Sequence, residues 1–509
     1  MYTSNAQEVA WVIGLYLLVT FLFAYFSGKK IAQGRFMEEY FVGGRKTGPW
    51  ILALTWVATM TSGGLFVGVP ALAHTFGWIL ILWICGNMLV ATMAFGVLGR
   101  RVSEIGKRTG ALTFPDLLRD RFDSSAISLL ASILIIVLQL AYMVAQYIAG
   151  ARIIEAVIGI PYHWGVIGFS VTVTLYTAWG GFRAVAWTDS FQAIVMLIGI
   201  AIAAYFIVDM AGGLAVMNDK LQAQSTELIS GPGPNKFLPL TGAISFFMIM
   251  PLATMGHPAL VSRFLTFTGS AVLKRATFLS GLYVLLLYPL VILVGVGGRV
   301  LVPHLDTPDH ALIATVLVAV PAVLAGIVIA APVSAIMSTL SSFLLVCSGT
   351  IVRDIYQRNF KPELPDEAAK RYVLIATVAI SLFGTLLALR PPQFLQLIVV
   401  FAGTGLGATF TWPTILAVFW PRMNKPGCMA GMIGGFASFV LQYVTLGDHS
   451  FVGFHPFVWS FLFSLLCSVV ISLITPKQSA VFLSKYFGTP STAAKPPDVQ
   501  SIGEKHAIS

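Results

Sequence analysis

Residues 49–73 read PWILALTWVATMTSGGLFVGVPALA. The run is apolar and long enough for a bilayer, which a helix crosses in roughly 20 residues. Its middle is nevertheless broken by Thr59-Met60-Thr61-Ser62-Gly63-Gly64, with Pro70 beyond. Glycine and proline release backbone groups from helical pairing, and within lipid those groups need partners from protein, ion or water. A second run, 238–262, is interrupted in the same way by Met250-Pro251 and Met255-Gly256-His257-Pro258. Gly and Pro also kink helices that merely pack together. Matched spacing favours a site: the breaks fall in the second and seventh apolar runs, five runs apart. Discontinuous helices at corresponding places in two repeats point to a binding site at the midplane.

The rest of the chain has the same character. Hydrophobic residues make up 57% of 509, charged residues 10%, and the mean hydropathy is +0.85. A soluble domain carries about a quarter of its residues charged, so the class is an all-α polytopic membrane protein whose solvent is the lipid bilayer. Thirteen transmembrane helices are expected, at about 8–27, 49–73, 76–99, 125–157, 163–180, 185–211, 238–262, 273–303, 320–352, 369–389, 393–420, 426–446 and 455–475. The excess charge of +10 then reflects basic loops on one side of a membrane, not nucleic acid. Of 31 Lys and Arg, 26 fall in the gaps of one side and five in the other, which predicts the N-terminus outside and the C-terminus in the cytoplasm. No basic segment precedes the first run, so no cleaved leader is expected. Cys85, Cys347, Cys428 and Cys467 show neither ligand spacing nor extracellular pairing and read as free packing thiols.

Sodium takes a shell of oxygens, which unwound carbonyls and hydroxyls can supply. The second span offers the carbonyls of Ala58 and Thr61. In the ninth span, Ala335, Ser338 and Thr339 share one helix face; the same small residues would equally suit close helix packing. Asp189, at the start of the sixth span, marks either an ion path or a helix cap. His257 sits beside the second break, where it suits a partner for loose backbone better than a proton carrier. Gln139 and Gln146 share a face of the fourth span, as solute ligands or as interhelical glue. No phosphate loop, zinc helix or nucleophile constellation is present, so the chain is not expected to be an enzyme, and its energy must come from an ion gradient.

At these residues the chain resembles the sodium/solute symporter family. Glu39-Tyr40-Phe41-Val42-Gly43-Gly44-Arg45 looks like the family's Tyr-x-x-Gly-Gly-Arg stretch. Gly180-Gly181 through Asp189 to Gln192 looks like its Gly-Gly and Asp-x-x-Gln segment, and Ala335-Ile336-Met337-Ser338-Thr339 like its sodium-site helix. The resemblance runs from about Tyr40 to Thr475. It implies a five-plus-five inverted repeat and alternating access. Sodium, the one metal implied, would sit on the carbonyls of Ala58, Thr61 and Ala335 and the hydroxyls of Ser338 and Thr339. Asp189 would lie on the inner ion route. The implied division is an extra N-terminal helix and loop (1–48), a first repeat (49–211), a loop (212–237), a second repeat (238–420), two further helices (421–475) and a tail expected to be disordered (476–509).

Gly256-His257-Pro258, Gly150-Ala151-Arg152 and Gly453-Phe454-His455-Pro456 are most similar to the family's pantothenate-transporting branch. Met60 stands where the proline-transporting branch has an acid. For such a solute, Thr59, Ser62, Gln146 and Thr404 are the binding candidates, with Phe246 or Phe247 as a gate. No organic cofactor, nucleic acid or obligate protein partner is expected. A transporter-like sensor would need a signalling module, and about 34 residues follow the last span, fewer than a usual domain.

Overall fold

The structure is a computed structural model that describes residues 6–28, 36–390, 395–446 and 451–487, and every regular element among them is a helix. Nine of these helices are long and apolar enough to cross a membrane. A tenth is made by the pair Leu240–Met255 and Pro258–Leu265, bent by 46°. Lys29, Lys30, Arg35, Lys495 and Lys505, counted in the charge asymmetry, lie outside the described residues, as does the tail from 488 onward.

Helix α1 (Ala6–Gly28) leads to α2 (Pro49–Met60). Proline at the start of α2 presets the helical φ at a position whose N–H needs no partner. The helix stops at Thr61, whose backbone is extended (φ −82°, ψ 103°). It restarts as a π-turn over Gly64–Gly68 and continues as α3 (Val69–Phe76). Expectation and structure agree on this break. A short amphipathic helix, α4 (Phe114–Phe122), then precedes the long α5 (Ser125–Ile158).

The fifth and sixth expected spans follow one another with no loop between them in α6 (Tyr162–Ala211), which is interrupted at Gly181. Gly181 makes the reversal at φ 54°, ψ −170°, which side-chain-bearing residues rarely adopt. A β-carbon there would also lie 2.7 Å from the Tyr40 ring. The second broken span comprises α7 (Leu240–Met255) and α8 (Pro258–Ser262), with Gly256 and His257 between them. Next come α9 (Ser270–Leu301) and α10 (Ala322–Gly349). Helix α10 is the centre of the bundle: every residue from Val328 to Leu345 is buried. Its Ala, Gly and Ser residues let α6, α1, α5 and α2 pack directly against it. The bundle is completed by α11 (Asp366–Ala388), α12 (Leu395–Phe419), α13 (Lys425–Leu446) and α14 (Pro456–Ile474).

The basic gaps gather at one end of the bundle, where arginines staple them together. Arg45 donates to the carbonyls of Leu265 (3.0 Å) and Ala111 (2.7 Å). Arg121 donates to those of Ala417 (2.8 Å) and Met423 (3.2 Å), and Arg422 to those of Leu473 and Thr475. Cations suit these places because helix C-termini leave carbonyls without intrahelical partners. The opposite end has its own ties, such as Arg299 Nε to Gln224 Oε1 at 3.0 Å and the Arg152–Glu155 pair at 2.8 Å.

Two parts of the fold depart from expectation. Residues 308–319, read as a gap, form a short apolar helix. The tail does not begin unstructured: α15 (Ala480–Phe487) docks on the basic end. There Tyr486 is buried and donates its hydroxyl to the Asp120 carbonyl. The Arg121 guanidinium lies over the Phe487 ring, which supplies the apolar and cation–π contact that eight residues need to hold a position.

Candidate functional site

The break after α2 leaves carbonyls without helical partners, and the α10 face turns hydroxyls toward them. Ser338 Oγ donates to the Ala58 carbonyl at 2.9 Å and to the Ala335 carbonyl at 3.1 Å. Thr339 Oγ1 lies 3.2 Å from the Thr61 carbonyl, 3.4 Å from that of Thr59 and 2.9 Å from that of Ala335. All five residues named for sodium therefore meet in one buried cluster of oxygens. Neutral carbonyl and hydroxyl oxygens are the ligand chemistry of a hard monovalent cation.

The other face of the break is closed by side chains. Gln146 Oε1 accepts from Gly63 N at 2.8 Å, and Ser62 Oγ accepts from Gly64 N at 3.2 Å. Tyr142 in turn donates its hydroxyl to Ser62 Oγ at 3.3 Å. These bonds answer the requirement that free backbone groups in a membrane find partners.

Beside the break lies a cavity of about 120 Å³. On this measure one water takes roughly 10–15 Å³, so the space suits a small organic molecule. Thr59, Met60 and Ser62 line it from the first break, and Thr254, His257 and Leu260 from the second. Asn87, Tyr142, Tyr288, Phe343 and Thr404 complete its rim with apolar neighbours. Three of the solute candidates, Thr59, Ser62 and Thr404, thus share one cavity. Gln146 sits behind it, holding Gly63. Phe246 sits above it, edge-on to the lining residue Trp83 at 4.7 Å between ring centroids, whereas Phe247 is exposed on the bundle surface. Gln139 accepts a hydrogen bond from Cys347 of α10. The His257 ring does not serve loose backbone: it stacks on Phe343 (5.1 Å) and faces the cavity, with Nδ1 unpartnered.

Asp189 is wholly buried. Its Oδ2 accepts from Thr55 Oγ1 at 2.7 Å and from Arg263 Nη2 at 3.1 Å, while Oδ1 has no hydrogen-bond partner. Arg263 corrects the sequence reading, which put it among the loop cations. It is 3% exposed, and it also donates to Thr55 Oγ1 (3.2 Å), Ser342 Oγ (2.7 Å) and the Ala259 carbonyl (2.8 Å). Ser342 Oγ lies 2.9 Å from Thr59 Oγ1, so hydroxyls connect the cavity lining to the ion pair. Tyr142 was legible, since it lies on the Gln139–Gln146 face. Arg263 was not, because an arginine next to an apolar run reads as an interfacial anchor.

The chain is similar to known proteins in sequence and in fold. Residues 40–435 match the sodium:solute symporter family. A sodium/pantothenate symporter from Escherichia coli (strain K12) is 33% identical, covering 91% of this chain and 96% of its own length. A second, from Haemophilus influenzae, is 32% identical over 90% and 95%. Sodium/proline symporters from Staphylococcus aureus are 27% identical over 94% and 96%. In fold, the chain is similar to a Na+-coupled sialic acid symporter in a substrate-bound outward-open state, with a TM-score of 0.76 at 20% identity, covering 92% of this chain and 99% of that one. It is also similar to a nucleobase-cation-symport-1 family transporter in a closed conformation, with a TM-score of 0.57 at 16% identity over 88% and 97%. With a buried oxygen cluster at one broken helix, a cavity between two, and a family match over most of its length, this chain belongs to the sodium:solute symporter family.

Proposed function

We propose that the chain imports pantothenate across a bacterial inner membrane by sodium-coupled alternating access. One observation carries the reading: the Ser338 and Thr339 hydroxyls converge on the carbonyls of Ala58, Thr61 and Ala335 at a helix break that also lines a solute-sized cavity. Sodium would occupy that cluster and Asp189 its inner route. Solute in the cavity and ion beside it would share the segment Thr59–Ser62, so that binding of one orders the other's site. Pantothenate offers hydroxyls, an amide and a carboxylate. The lining offers hydroxyls at Thr59, Ser62, Thr254 and Thr404 and an amide at Asn87. Gln146 would act through Gly63, and Phe246 would roof the cavity.

The architecture behind this reading is 13 spanning helices: one extra at the N-terminus, two inverted repeats at 49–211 and 238–420, and two further helices at 421–475. The basic end would face the cytoplasm, because loops rich in Lys and Arg resist translocation. A second reading keeps the fold and the coupling but changes the solute to another small carboxylate or an amino acid, sodium- or proton-coupled. The 27% identity to sodium/proline symporters over 94% of the chain supports it.

The test is uptake of labelled pantothenate into proteoliposomes under an inward sodium gradient, against a matched potassium control. Sodium-dependent accumulation supports solute and ion together. Accumulation that ignores sodium but follows a proton gradient favours the second reading's coupling. No accumulation in sealed vesicles removes pantothenate.

A further inference from the structure

Two cavities lie on either side of one cation. The central cavity has no formally charged side chain in its lining. A smaller space of about 30 Å³ toward the basic end is lined by Phe41, Phe182, Thr113, Thr350 and their neighbours, and by Arg263. Among the described residues that line either space, Arg263 is the one formal charge. Its partner Ser342 lines the smaller space, and Thr59, on the other side of Ser342, lines the central one. Arg263 therefore stands at the partition that a solute must cross to leave by the basic end.

An anion cannot cross so buried a partition unpaired, because burying an isolated carboxylate is very costly. A guanidinium carries five N–H donors in a planar fork suited to carboxylates. Four hydrogen bonds use four of them, and one Nη1 proton is left over. We propose that Arg263 is a specificity-determining residue that receives the carboxylate of the solute as it moves from the central cavity to the inner space. The inference rests on the reading of the chain as a sodium-coupled importer of a carboxylate. It adds where the charge is read: selection for an anion occurs at the exit and not in the cavity where the solute first binds. Charge balance supports it. Arg263, Asp189, one carboxylate and one accompanying sodium ion sum to zero, so the partition is crossed without net charge. In the absence of solute, Asp189 holds the guanidinium in place.

The test compares uptake of pantothenate with that of its uncharged counterpart, in which the carboxylate is reduced to an alcohol, in proteoliposomes with equal sodium on both sides. The proteins are wild type, Arg263→Lys, Arg263→Gln and the double variant Asp189→Asn with Arg263→Gln. The double variant removes both charges of the buried pair, so neither is left uncompensated. Wild type is expected to favour the carboxylate at least tenfold in maximal rate, and Arg263→Lys to keep most of that ratio. Arg263→Gln and the double variant should bring the ratio to near one, with sodium-dependent thermal stabilisation by pantothenate still present. A merely structural role for Arg263 lowers both rates together and leaves the ratio alone. A double variant that retains the wild-type ratio overturns the inference and leaves the solute reading intact. Wild-type uptake of neither compound overturns the pantothenate reading and the inference with it.

Discussion

Ser338 and Thr339 donate to the same carbonyls that would bind the ion, so each hydroxyl has two roles: a hydrogen-bond donor across the seam without sodium, and an oxygen ligand with it. The variant Ser338→Ala with Thr339→Ala should raise the half-saturating sodium concentration for uptake at least tenfold, about 1.4 kcal/mol; unchanged sodium dependence would remove these residues from the site. Gln146 gives a separate expectation. With Gln146→Leu, Gly63 N–H loses its acceptor inside the protein, which costs about 1–3 kcal/mol. Its thermal midpoint in detergent should fall, and Gln146→Glu, which keeps an acceptor, should fall less. At the basic end, burial and the neighbouring Asp116 push the Asp120 carboxyl up from its ordinary range. A carboxyl raised in the fold stabilises below its unfolded pKa and loses that contribution as pH rises through the folded value. The thermal midpoint of Asp120→Asn should therefore gain on wild type as pH rises above about 4, the ordinary aspartate value, and parallel pH curves would contradict this.

At the scale of elements, broken helices were legible because Gly and Pro are the strongest punctuation a sequence has. Residues 61–64 and 256–258 are where α2 and α7 stop. The Ala335–Thr339 face was legible through helical periodicity. Three-dimensional pairing was not. Arg263 looked like a loop cation because its partner Asp189 lies 74 residues away, and nothing local records that distance. Nor did the residues of α15 reveal that Arg121 would anchor them. The reversal at Gly181 carries its own test. Gly181→Ala meets both an unfavourable φ and the Tyr40 ring, so folded yield and thermal midpoint should drop. Adding Tyr40→Ala should recover only part of the loss, since the backbone strain remains; full recovery would mean the ring alone matters.

The whole molecule is polarised. Arginine staples crowd one end of the bundle, while the other is tied by fewer charged contacts such as Arg299–Gln224. Composition and charge spacing foretold this asymmetry, although the fold supplies what the cations do there, which is to bind helix-end carbonyls. Orientation follows as a whole-chain expectation. With the native thiols replaced, Lys236→Cys should react with a membrane-impermeant maleimide in intact cells, and Lys361→Cys only after the membrane is opened. The reverse pattern would invert the topology. The sharp turn at Gly181 bears on how such a chain is made. Its two arms, 162–180 and 182–211, have no hydrophilic stretch between them on which the first could pause while the second is still being synthesised. They would then enter the bilayer as a helical hairpin in a single step, the second arm carrying Asp189 with it before Arg263 has been translated, and the acid must wait for its partner inside the insertion machinery or the lipid.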